Sequence, residues 1–124
     1  MGEDYAAVAE EFISYYYSTF DADRRSLEGL YRPTSLLTFE SSQSHGTKDI
    51  VEKLASLPFQ KVEHQVTTND AQPLADGGII VMVTGALIVD DSPAPVTFVQ
   101  TFVLMPEGGA HYVGHDIFKL IYPA

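Results

Sequence analysis

The chain has 124 residues, a length that suits one domain, and its 17 acidic against 7 basic residues give a net charge of -10. A field of that sign repels nucleic-acid phosphates and anionic membranes; it favours a basic protein surface or a cationic ligand, with solubility alone as the plain alternative. The absence of cysteine excludes disulfide frameworks, thiolate metal sites and cysteine nucleophiles, and 45% hydrophobic residues suffice for one core.

Met1-Gly2-Glu3-Asp4 leads straight into a patterned segment, so no signal or transit peptide is expected. Gly2 does not open a myristoylation site, because the Ser or Thr that site needs four residues on is Ala6. Tyr5, Val8, Phe12, Ile13, Tyr16 and Phe20 recur at helical spacing and predict an amphipathic helix over 5–20, with Asp4 capping its first turn. After the break at Asp21-Ala22-Asp23, Leu27, Leu30 and Tyr31 mark a second short helix that Arg32-Pro33 ends. Ser35 to Glu40 reads as a short strand, followed by a polar loop from Ser41 to Gly46. Thr47 is placed to cap a third helix with the stripe Ile50, Val51, Leu54 and Leu57, stopped by Pro58.

From there the period changes to two. Gln60 to Gln72, Ile79 to Val89, Val96 to Met105 and His111 to Tyr122 read as strands, with turns at Asp76-Gly77-Gly78, Asp90 to Pro95 and Pro106 to Gly109. Ile79 to Val89 is the longest apolar run and is far too short to span a membrane. Helices first and antiparallel strands after predict an α+β fold, one domain over 1–124, with the helices on one face of the sheet.

The other face needs cover too. In 79–89 one parity holds Val81, Val83, Leu87 and Val89, and the opposite parity holds Ile80, Met82, Ala86 and Ile88. In 111–122 Tyr112, Phe118, Leu120 and Tyr122 share one face, and Val113, Ile117 and Ile121 the other. Helices on one side cannot cover both, so a second copy packed sheet to sheet is the economical solution. A curved sheet that shields its own outer face is the alternative.

Little here points to catalysis. His111 and His115 resemble a metal pair, but four strand residues span about 13 Å, too far for one ion, so no metal site is expected. His45 lies in the polar loop. His64 shares a strand face with Val62 and Val66; beside a carboxylate such as Asp116 or Glu40 it would suit a general acid or base, or else a satisfied core histidine. No nucleophile motif, phosphate loop or cofactor motif accompanies it. Leu37-Thr38-Phe39-Glu40 sets an aromatic beside a carboxylate at a strand end, and Asp90-Asp91 forms a second acidic pair at a turn. If these ends meet, an apolar hole with a carboxylate rim results, suited to an aromatic ring flanked by Lys or Arg. Ordinary core and turn roles are the alternative for the same residues.

The segments Tyr16-Tyr17, Phe20-Asp21-Ala22-Asp23-Arg24, Leu37-Thr38-Phe39-Glu40, Ile50-Val51-Glu52-Lys53-Leu54, Ser56-Leu57-Pro58-Phe59-Gln60-Lys61-Val62, Asp70-Ala71-Gln72-Pro73 and Asp116-Ile117-Phe118-Lys119-Leu120 resemble the nuclear transport factor 2 family over nearly the whole chain. Phe39 and the ending Ile121-Tyr122-Pro123-Ala124 resemble its fungal members. The resemblance implies a homodimer of cone-shaped subunits, with no cofactor, that carries Ran-GDP and binds FxFG repeats of nucleoporins, working between cytoplasm, nucleus and pore. It implies that Glu40, Asp90 and Asp91 meet basic side chains of Ran, with His64 at the same rim, and that a Ran phenylalanine enters a cavity bordered by Phe39, Leu57, Val62 and Phe118. Tyr5 and Gly77 would contact the repeats, and Met82, Thr101 and Ile117 would pack the dimer. Animal members have Trp at Phe39 and an acid at Ser92, and Trp or Phe is seen elsewhere in the family at Tyr5, so one ion pair and some repeat affinity are expected to differ. An enzyme of the same fold with a deep pocket, and a dimerisation domain of a larger adaptor, are the competing readings.

Overall fold

A computed structural model describes residues 4–90 and 92–122. Helix α1 spans Tyr5–Asp23, and the Asp4 carboxylate accepts the Ala6 N–H at 3.0 Å, as the capping pattern requires. Its buried stripe is Ala9, Ile13, Tyr16, Tyr17 and Phe20. The helix runs past the break expected after Phe20, because the cap falls later: Asp23 accepts the Arg25 N–H and starts a 3-10 helix, Arg24–Leu30.

Tyr31, expected in that second helix, instead opens strand β1, Tyr31–Phe39. The polar segment expected as a loop contains β2, Ser42–His45. Ser-Gln-Ser-His has no apolar residue, so no alternation reveals it. Glu40 and Ser41, both at positive φ, make a two-residue turn that folds β2 back on β1, pairing Phe39 with Ser42. Helix α2 spans Thr47–Ala55 and buries Ile50, Val51 and Leu54. Its N-cap is Gly46 rather than the expected Thr47: at φ 88 Gly46 turns its N–H onto the Ser35 carbonyl, leaving Thr47 inside the helix.

Strands β3 (Val62–Pro73), β4 (Ile79–Val89), β5 (Val96–Glu107) and β6 (Ala110–Ile121) follow. Among the described residues the six strands form one sheet in the order β2-β1-β6-β5-β4-β3. All neighbours run antiparallel except β1 and β6, so the sheet is mixed rather than purely antiparallel. No hairpin joins β1 to β6, and no turn signal in the sequence reports their direction.

The ladder slips in three places, between Tyr31 and Leu36 in β1 and at single-residue bulges in β3 and β6. Thr67 is the extra residue in β3, and Gly114 is the extra residue in β6. Gly114 reverses the parity of β6, so Val113 points into the core while Ile117 stays exposed, although strict alternation grouped them. For the same reason Tyr112 leaves the face of Phe118 and lies under the Arg32 guanidinium. The inner face packs on α1 through Phe98 and Phe102, with Phe102 edge-on to Tyr16 at 4.8 Å. Each such ring contributes about 1.5–3 kcal/mol by leaving water.

Candidate functional site

The C-terminal ends of β1, β4 and β6 lie at one end of the sheet with the start of β3. Glu40 and Asp90 both sit there, about 14 Å apart if counted across the intervening strands. Glu40 Oε1 accepts the Leu120 N–H. Asp90 Oδ1 accepts the Gln60 and Lys61 N–H groups at 3.0 and 2.9 Å. Each carboxylate thus braces backbone with one oxygen and keeps a second acceptor for a cation. Both residues have positive φ, 50 for Glu40 and 48 for Asp90, an uncommon conformation held by these bonds. Asp91 lies outside the described residues.

Behind this rim is a cavity of about 10 Å3 lined by Phe39, Phe59, His64, Leu87, Asp116 and Phe118, among others. Phe39 and Phe118 stack face to face with ring centroids 4.6 Å apart, and Phe118 stacks on Phe98. Leu57 and Val62 do not line it: Val62 is core, and Leu57 packs beside the core in the segment before β3. His64 is an inner wall rather than a rim group, its side chain only 2% exposed. Its partner is neither Asp116 nor Glu40. His64 Nδ1 donates to Asp21 Oδ1 at 2.6 Å, and the His64 backbone N–H donates to Asp21 Oδ2. The imidazole stacks on Tyr17 at 4.5 Å. Asp21 sits in α1, in a segment that reads as a helix break, so sequence reasoning overlooked it.

Asp116 is fully buried in a polar network no motif announces. Its carboxylate accepts from Gln100 Nε2 at 2.7 Å, Tyr31 Oη at 2.8 Å and Tyr16 Oη at 3.3 Å, and Tyr17 Oη donates to Gln100. Burial raises its pKa to about 6, against the lowering by those donors. The same burial, with the Asp116 charge next, pushes Tyr16, Tyr17 and Tyr31 well above the usual phenol range. The tyrosines are therefore donors and not bases.

At the opposite end of the sheet a second, larger pocket of about 440 Å3 brings Tyr5 and Gly77 together with Val8, Leu74, Ile79 and Pro106. His111 borders it, with Nε2 3.2 Å from the Gly77 carbonyl. His115 pairs with Val103 on the outer face, so the two histidines do not converge. On that outer face Met82, Thr101 and Ile117 form one cross-strand row: Met82 pairs with Thr101 and Thr101 with Ile117. Met82 and Ile117 are about half exposed, at 47% and 54%.

Residues 8–120 match the Nuclear transport factor 2 (NTF2) domain. The chain belongs to the nuclear transport factor 2 family. It is 54% identical over 125 residues to nuclear transport factor 2 of Eremothecium gossypii and 52% identical to that of Saccharomyces cerevisiae, covering 100% of both chains in each case. The solved structure of nuclear transport factor 2 from Cryptosporidium parvum superposes with a TM-score of 0.92 at 40% identity, over 98% of both chains. The fold is thus the α+β cone of that family. A scytalone dehydratase-like protein from Novosphingobium aromaticivorans shares the fold alone, at 10% identity.

Proposed function

We propose that this chain is a nuclear transport carrier that takes Ran-GDP through the pore, as a homodimer whose subunits bind FxFG repeats of nucleoporins. The coarser part, a role in nuclear transport between cytoplasm and nucleus, follows from full-length relatives named nuclear transport factor 2. The finer part is supported by one observation: the two candidate binding sites occupy opposite ends of one sheet. An acidic rim with aromatic walls lies at one end and an open apolar pocket beside Tyr5 at the other. Strand β4 alone, Ile79–Val89, separates the ends by about 33 Å. Cargo and repeat can then bind together, and transport needs no chemistry. Weak, fast repeat contacts allow movement, and two copies of each site add avidity. An enzyme reading calls for a substrate-sized pocket beside His64, whereas the cavity there is about 10 Å3.

Calorimetry against Ran loaded with GDP, and with a GTP analogue, tests this. Binding to the GDP form alone is expected, since the switch region of Ran changes shape with nucleotide. Glu40→Lys should reduce that affinity by at least about 100-fold, from lost attraction and new repulsion at the rim. Glu40→Lys also removes the acceptor of the Leu120 N–H, at about 1 kcal/mol of stability. Glu40→Gln keeps the acceptor and removes only the charge, so it separates the two effects. Unchanged affinity in both variants would sink the rim assignment.

A further inference from the structure

A cavity of about 10 Å3 has room for one water at most, whereas an apolar hole of roughly 150 Å3 takes benzene. A cargo ring therefore cannot enter without displacing something, and most of the walls cannot yield. Phe118 is clamped between Phe39 and Phe98, and Tyr16, His64 and Asp116 are tied by hydrogen bonds. Phe59 differs. It lies in the stretch 56–61 between α2 and β3, which has neither helix nor strand, and it is only half-buried.

Two sets of bonds hold the part of that stretch next to the cavity. Arg24 Nη2 donates to the Phe59 carbonyl at 2.6 Å and to the Leu57 carbonyl at 3.4 Å, and its guanidinium lies 5.0 Å over the Phe59 ring. On the other side Asp90 Oδ1 holds the Gln60 and Lys61 N–H groups, and the Asp90 N–H returns a bond to the Lys61 carbonyl at 2.8 Å. We propose that Phe59 is the chain's own occupant of the ring site, displaced by the cargo's aromatic side chain, with Arg24 as its latch and Asp90 as the trigger. This rests on the cargo reading above. A cationic group of the cargo that binds the open Oδ2 of Asp90 neutralises the carboxylate and weakens the charge-assisted bonds that Oδ1 accepts from the Gln60 and Lys61 N–H groups. The ionic contact thereby loosens the strap that covers the ring site, and charge and ring are recognised jointly. A partner carrying the ring without the cation meets a closed site. Arg24 and Phe59 are then specificity-determining residues, though neither need pair with a charge of the cargo.

The test uses the whole chain and begins without cargo. Benzene is titrated into wild type, Phe59→Ala and Arg24→Gln, followed by NMR of the ring resonances around the cavity. Phe59→Ala should bind benzene at least about tenfold more tightly than wild type. Arg24→Gln leaves the core side chains intact and should speed amide exchange at Gln60 and Lys61 by about tenfold or more, with the β4–β5 amides unchanged. Equal benzene binding by wild type and Phe59→Ala, or unaltered exchange in Arg24→Gln, would overturn the proposal. Ran-GDP is then added to each. Tighter binding by Phe59→Ala supports displacement. Absence of Ran-GDP binding in all three, with the benzene difference intact, supports a displaceable Phe59 and rejects Ran as the cargo.

Discussion

Asp116 is the only charged side chain fully enclosed by the core among the described residues, and its ionisation sets a measurable pH dependence. Its pKa rises from 3.8 in the open chain to about 6 in the fold, chiefly through burial. The native state therefore holds this proton at a pH where the unfolded chain has released it. Its contribution to stability is complete below the unfolded value and is lost as pH rises through the native one. The rise of about two units corresponds to about 3 kcal/mol between about pH 4 and pH 7. In Asp116→Asn the donors can still be matched: the amide oxygen accepts from Tyr31 and Tyr16, Gln100 turns over to accept from the new amide nitrogen, and the Tyr17 hydroxyl rotates to accept from the turned Gln100 amide. Urea unfolding across that range should show the variant gaining on wild type as pH rises. A constant difference between the two would mean that Asp116 is ionised throughout. Parity puts Asp116 on the face of Phe118, so a buried acid is legible in the sequence. Its partners Tyr16, Tyr31 and Gln100 come from three distant elements, and no local pattern joins them. His64 illustrates the same limit: its inward direction is legible, but its partner Asp21 lies 43 residues away on another element.

The strands are the most legible elements, because alternation and the glycine turns act over a few residues. What alternation does not show is where it slips. At β3 the slip is tied to Gly85: opposite the bulge at Thr67, a Cβ on Gly85 would lie 2.2 Å from the Gln65 carbonyl oxygen and 3.0 Å from the Phe98 ring. The backbones approach so closely that only glycine fits. Gly85→Ala should cost about 1–3 kcal/mol or more, as overpacking does, with the loss read from equilibrium denaturation. A variant as stable as wild type would mean that β3 can shift register there. β2 stays hidden for another reason. Its four polar residues pair through the Glu40-Ser41 turn rather than through a buried stripe, so its position follows from backbone geometry alone. That turn also brings Glu40 onto β6. Aromatic and acid were legible as neighbours in Phe39-Glu40, whereas the brace on Leu120 was not.

At the scale of the whole molecule, charge and apolar surface act in opposite directions. Each chain carries a net charge of -10, so two copies brought together repel, and a stable pair needs apolar burial that exceeds this cost. The row of Met82, Thr101 and Ile117, with Ile121 also exposed near the end of β6, is the surface that could supply it. Met82→Glu tests that face. In the isolated subunit Met82 is half exposed, so the fold should lose little beyond a modest, solvent-screened repulsion from Asp70, its cross-strand neighbour on β3. In a sheet-to-sheet pair the new carboxylate is buried without a partner beside an existing acid, a severe cost. Sedimentation of the variant should show subunits dissociating at concentrations where wild type is paired, with affinity lower by at least about 100-fold. Salt sharpens the distinction. Screening like charges should tighten the wild-type pair, while the same screening weakens the attraction of a basic cargo to Glu40 and Asp90. If Met82→Glu sediments as wild type does, at low and at high salt, the pairing surface lies elsewhere and the outer face has a different occupant.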